Sequence, residues 1–136
     1  MTWPAVHICR SLDHDVAAVS RVAGDPANLP AWATGLSAGI RQEDGRWITD
    51  SPMGVVEVAF TGLVELGILD HDVTLPDGSV MRNPFRVVAN DQGSEAIFTL
   101  FRRDGMSEAD FRSDAEAVRG DLDRLAVLLH KRLPRA

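Results

Sequence analysis

The chain predicts an α+β fold: a curved antiparallel sheet of about six to seven strands wrapped around one long C-terminal helix, with two short helices after the first strand. Three observations carry this. First, Phe111, Ala115, Val118, Leu122, Leu125, Leu129 and Leu133 recur at steps of three or four, which places them on one face of a helix over 107–133. At ~1.5 Å per residue that helix is about 40 Å long, so it needs an extended apolar surface to lie on. Second, residues 36–103 read as successive short strands joined by tight turns, the signature of an antiparallel meander. Third, helices and strands are segregated along the chain rather than alternating.

The elements follow in order. Residues 3–10 form a first strand with neither face cleanly polar. Asp13 or Ser11 caps a helix carrying Val16, Val19 and Val22, which Gly24 stops. Asp25 and Pro26 supply the N-cap and first helical position of a second, short turn; Pro30 ends it and Trp32 follows. Strands are expected over 36–42, 46–50, 54–61, 67–75, 79–89 and 94–103. Over 94–103 either Ile97, Thr99 and Phe101 or Ala96, Phe98 and Leu100 face inward. Both faces are apolar, which points to a partner subunit over one of them and hence to a homodimer. Ser107 caps the last helix, Met106 and Phe111 are placed for a hydrophobic staple, Arg112–Glu116 and Arg119–Asp123 are i,i+4 pairs, and Pro134 is the stop.

Length and composition bound the function. A chain of 136 residues is one domain, 1–136, able to bury a full core. A net charge of −6 argues against broad nucleic-acid binding. No apolar run is long enough to span a membrane, and the first ten residues lack a basic region followed by an apolar stretch, so no signal peptide is expected. The single cysteine, Cys9, fits a reducing compartment, and the expected location is cytoplasmic. Cys9 itself reads as a small buried hydrophobe, and His14 and His130 as surface residues.

The hairpin around Pro76-Asp77-Gly78 is the most informative stretch. It reads as a three-residue loop with Gly78 in the left-handed position, pairing Leu75 with Ser79. Counting back pairs Val73 with Met81, His71 with Asn83 and Leu69 with Phe85. One face is then Leu69, His71, Val73, Met81, Asn83, Phe85 and Val87; the other carries Asp70, Asp72, Arg82 and Arg86. A slip of one residue would bury those charges, so the first face points inward. His71 and Asn83 thus become cross-strand neighbours among apolar side chains. Either they satisfy one another as a structural pair, or they are the polar handle of an otherwise greasy pocket. The charged face reads as solvated.

Other chemistry is thin. Gly35-Leu36-Ser37-Ala38-Gly39 matches the G-x-S-x-G pattern but lacks the strand–elbow–helix context that pattern needs. Asp70-His71-Asp72 alternates faces, so no metal site is expected. Cofactor motifs such as the P-loop or G-x-G-x-x-G are missing from the sequence, and no cofactor is expected. Trp32 and Trp47 read as core anchors, and Arg102 and Arg103 as a solvated pair.

The phrase Asp25-Pro26-Ala27-Asn28-Leu29-Pro30-Ala31-Trp32, after a first strand and helix, resembles a D-P-x-N-x-P-x-W segment of the polyketide cyclase/START-like (SRPBCC) superfamily. The run from Gly67 to Phe111 resembles a bacterial subgroup of that superfamily with no assigned reaction. The resemblance covers nearly the whole chain. It implies a helix-grip fold, with the sheet gripping the C-terminal helix around a deep apolar cavity, and ligands such as lipids, polyketides, sterols or aromatic metabolites. It transfers no catalytic residues, and fold does not fix function.

Three functions are therefore open. The first is a binding protein for a small apolar ligand, with Leu69, Val73, Met81, Phe85, Phe111, Val118, Leu122 and Leu125 lining the cavity and His71 and Asn83 orienting the ligand. The second is a cyclase- or dehydratase-type enzyme in which His71 is the catalytic acid/base and Asn83 holds an oxygen. The third is a protein–protein module of the chaperone-activator kind, docking through the apolar strand 96–101.

Overall fold

A computed structural model describes residues 1–36 and 38–133; Ser37 and Pro134 fall outside the described residues. The architecture is the expected α+β one, built from β1 (Ala5–Leu12), α1 (Val16–Ala23), α2 (Leu29–Trp32), β2 (Arg41–Glu43), β3 (Arg46–Ser51), β4 (Gly54–Phe60), β5 (His71–Thr74), β6 (Val80–Asn83), β7 (Phe85–Asn90), β8 (Gly93–Phe101) and α3 (Glu108–Arg132). Short 3-10 turns precede α2, follow it, and lie between β4 and β5.

Among the described residues eight strands occur, one more than the seven segments read from the sequence, and they form two ladders: β1-β8-β7, and β2-β3-β4-β5-β6, antiparallel throughout. The extra strand arises at Pro84. Residues 79–89 are not one strand, because proline has no N–H to give to a ladder. The chain leaves β6 at Asn83 and re-enters as β7, which pairs with β8 instead of β5. The two ladders stay joined at a seam, where Leu69 N donates to Phe85 O at 2.8 Å and Val87 N to Gly67 O at 2.8 Å. Gly67 has φ of +81°, and a Cβ there would meet Val87 O at 2.3 Å, so the seam closes only around a glycine.

The helix ends show local chemistry. Asp15, not Asp13 or Ser11, caps α1 by accepting from Ala18 N. Gly24 does end α1, but with φ of −87°; its lack of a side chain matters because a Cβ would lie 2.3 Å from Val64. Asp25 accepts from Ala27 N ahead of Pro26. Pro30 does not end a helix; it occupies the first turn of α2, where its missing N–H is no loss. Ser107 caps α3 by accepting from Asp110 N. The ion pairs along α3 are Arg112–Glu108, Arg119–Glu116 and Arg124–Asp121, in place of the expected Arg112–Glu116 and Arg119–Asp123, while Asp123 meets Arg10 on β1. No helix among the described residues is long and apolar enough to cross a membrane.

The packed core lies between α3, α1 and the three-stranded ladder. Ile8, Leu12, Val19, Val22, Leu69, Phe85, Val87, Ala96, Leu122, Leu125 and Leu129 are all buried there. In β8 it is Ala96, Phe98 and Leu100 that turn to this core, cross-strand from Arg10, Ile8 and Val6. Two histidine and cysteine expectations are corrected. His14 is buried, its Nε2 at Leu133 O and its ring 5.5 Å from His130, because the end of α3 folds back over it. Cys9 is exposed, on the outer face of β1. His7 shares that face and hydrogen-bonds Thr99.

Candidate functional site

The hairpin register is as the turn chemistry dictates. Gly78 has φ of +87°, Leu75 N donates to Ser79 O, and Val73 faces Met81 and His71 faces Asn83. Extending the pairing across β4 gives two inward rows, Phe60–His71–Asn83 and Val58–Val73–Met81.

Beneath these rows lies a cavity of about 250 Å³. The five-stranded ladder forms its floor, through Val56, Val58, Phe60, His71, Val73 and Asn83. Leu29, Trp32 and Leu36 close one side, and Val118 and Asp121 of α3 another. Met53, which also lines it, is 63% exposed, so the cavity reaches the surface at the β3–β4 turn.

Five aromatic rings run along the wall as a continuous chain. Phe60 lies 5.6 Å from His71, His71 5.9 Å from Phe98, Phe98 5.7 Å from Phe85, and Phe85 5.9 Å from Trp32, centroid to centroid. All are tilted, a favourable arrangement for aromatic pairs.

The polar groups in this wall are few. His71 Nδ1 is 3.0 Å from Leu69 O. A carbonyl only accepts, so Nδ1 carries the hydrogen, and in the neutral ring Nε2 is left as an acceptor. Among the described residues nothing hydrogen-bonds to Nε2, Asn83 included. Enclosure in the protein strips water from the imidazolium and pulls the His71 pKa below its usual 6.5, against smaller opposing effects of the Leu69 carbonyl, Asp70 and Asp72. The indole Nε1 of Trp32 is buried without a partner. Asp121 is committed to the protein: it accepts from Thr34 N at 3.0 Å and from the Thr34 hydroxyl, and pairs with Arg124. These bonds tie the loop after α2 to α3.

Of the residues singled out from the sequence, His71, Asn83, Val73, Phe85 and Val118 line the cavity. Leu69, Leu122 and Leu125 do not; each is buried in the solid core, Leu69 at the seam beside Phe85, and Leu122 and Leu125 because their stripe of α3 faces the three-stranded ladder. Met81 and Phe111 also lie outside the lining, Met81 toward the hairpin tip and Phe111 in the first turn of α3. Sequence reasoning missed Trp32 as lining, together with Leu29, Val56, Val58, Phe60 and Phe98. Trp47 is half-buried and does not line the cavity. Arg102 and Arg103 bond to the carbonyls of Met106 and Arg82, away from it.

The outer face of the hairpin is more ordered than a solvated surface. Arg82 grips Asp72 with two bonds, and Arg86 grips Asp70 with two more. Asp70 also accepts from Phe85 N at 2.9 Å, replacing the ladder bond that the break at Pro84 removes. Both carboxyls are held below their usual range, chiefly by their arginine hydrogen bonds. Among the described residues no cluster of three metal-ligating side chains occurs.

No family model matches the sequence, and no curated protein matches it. Solved structures do match over nearly the full chain. A START superfamily protein from Mycobacterium smegmatis superposes with a TM-score of 0.63 at 11% identity, covering 93% of this chain and 97% of that one. Ara h 8.0201 gives 0.63 at 10% identity, covering 94% and 98%. DynU16, a protein of the dynemicin biosynthetic locus, gives 0.68 at 15% identity; 96% of this chain matches 48% of it. The chain therefore shares a START-like fold with these proteins.

Proposed function

We propose that this chain uses its START-like fold to bind a small hydrophobic metabolite, lipid-, polyketide- or aromatic-like, in the cavity between the five-stranded ladder and α3. The observation that carries this is the cavity itself: mostly apolar, open at the β3–β4 turn, and furnished with a few polar groups, which is the build of small-molecule sites. His71 and Asn83 orient the ligand, and Val73, Phe85 and Val118 contact it.

The test uses naphthalene as a neutral apolar probe, followed by NMR. Saturable shifts are expected at the methyl groups of Val58, Val73 and Val118. Val118→Phe fills the space from the helix side and is expected to weaken binding at least tenfold while the fold is retained. Shifts that do not saturate, or that spare these methyls, overturn the reading.

A second reading is favoured by one feature, the unpartnered Nε2 of His71. In an enzyme of the cyclase or dehydratase kind that nitrogen is the general base, and Asn83, its cross-strand neighbour, steadies the oxygen on which charge develops. Turnover then requires a ligand that places an acidic C–H or a leaving hydroxyl at Nε2, whereas binding requires only a fit.

A further inference from the structure

We propose that the ligand is an uncharged aromatic molecule of one or two rings whose hydroxyl group donates a hydrogen bond to Nε2 of His71. This rests on the binding reading above and narrows it to a chemical class.

Size sets the first limit. A cavity of about 150 Å³ holds one benzene ring, so 250 Å³ suits one ring with substituents or two fused rings. The wall sets the second. The chain Phe60–His71–Phe98–Phe85–Trp32 presents tilted rings along the space, surfaces that pair with another ring by stacking or edge contact.

Charge sets the third limit. No Lys or Arg is among the described lining residues, so none of them balances an anion. The lining carboxylate, Asp121, is already paired with Arg124, so a cation finds no unshared partner. A neutral ligand enters without either penalty.

The polar groups set the fourth. With Nδ1 bonded to Leu69 O, Nε2 of neutral His71 is an acceptor waiting for a donor. A pure hydrocarbon covers Nε2 from water and leaves it unpaired, which is costly. An oxygenated ring does not: its hydroxyl hydrogen meets Nε2, and its oxygen lone pairs remain for a donor such as the amide of Asn83.

The experiment compares three probes of one shape, naphthalene, 2-methoxynaphthalene and 2-naphthol, titrated at pH 7.5 into the full chain. The ether keeps the oxygen and loses the donor. Wild type is expected to bind 2-naphthol about tenfold more tightly than 2-methoxynaphthalene, the scale of one hydrogen bond to a buried acceptor. In His71→Leu the gap between the naphthol and the ether is expected to close, whatever change in affinity the lost ring imposes on all three probes alike. Equal affinity of wild type for the naphthol and the ether overturns this proposal and leaves the binding reading intact, provided naphthalene binds. A gap that survives in His71→Leu overturns the assignment to His71. Failure of all three probes to bind overturns both.

Discussion

The two ladders are built from the same kinds of residue, yet one is solid and the other hollow. Against β1 and β8 the helix α3 packs directly, and Leu122, Leu125 and Leu129 are sealed there together with Ile8, Val87 and Ala96. Against β4, β5 and β6 it stands off, and only Val118 and Asp121 look across the gap. The difference is one of spacing rather than hydropathy. A long helix touching one ladder closely cannot also touch the floor of a strongly curved second one, and α2 with its following loop fills only the flank. Stability and binding are thereby assigned to different halves.

The largest expected effect tests that division directly. Leu125→Ala in the solid half is expected to cost about 3 kcal/mol, the range for a buried leucine whose site cannot collapse. Val73→Ala in the hollow half removes methyls that already face open space and is expected to cost less than about 1 kcal/mol. Urea unfolding of both variants decides it; equal losses would mean that the second half is as tightly packed as the first.

At the seam between the halves an intermediate effect is expected. Asp70→Asn breaks a bidentate bond to Arg86 and weakens the bond to Phe85 N, and about 1 kcal/mol should be lost after allowance for solvent screening of Arg86. Asp72→Asn, whose partner Arg82 is exposed and whose carboxylate holds no backbone group, should cost less. The reverse order in thermal melts would remove the seam as a structural element.

The smallest effect is a pH dependence confined to the hollow half. The pKa of His71 is lowered in the folded chain, so the unfolded chain binds more protons as pH falls below the ordinary 6.5. Stability is unaffected above that value, declines as pH falls from about 6.5 toward the folded value, and then levels off for this group. The depressed carboxyls of Asp70 and Asp72 act in a separate window, below about pH 4. Melting temperatures between pH 7.5 and 5 should therefore fall in wild type and fall less in His71→Leu. An identical slope in the two would assign the effect elsewhere.

Much of the fold is readable without coordinates. The long helix announces itself by period and cap, and the Pro76-Asp77-Gly78 loop permits one register, which puts His71 opposite Asn83. What is not readable is which half of the molecule an apolar residue serves. Leu122 and Val118 sit one helical turn apart with no chemical sign that the first is sealed and the second is not. Phe60, Phe98 and Trp32 come from separate segments, and only the tertiary fold brings them beside His71. The two-faced apolar character of β8 leaves its facing undecided until its register with β1 is known. The break at Pro84 had a signal, a proline inside a strand pattern, and it was overshadowed by the good alternation on either side. His14 sits between two aspartates, a setting that reads as surface, and its burial depends on the far end of the chain.

The break at Pro84 has a consequence for how such a molecule can change over generations. Because the chain leaves one ladder and joins the other there, the β5–β6 hairpin reaches out from the seam like a finger from a knuckle, braced along one side by β4. Its inner side chains shape the pocket, its outer Asp72 and Arg82 clasp one another, and neither set belongs to the solid core. Residues on that finger can be exchanged one for another with the scaffold left standing, so selection can retune what fits inside at little structural risk. The knuckle itself, Gly67 against Val87 and Asp70 against Phe85, has no such latitude.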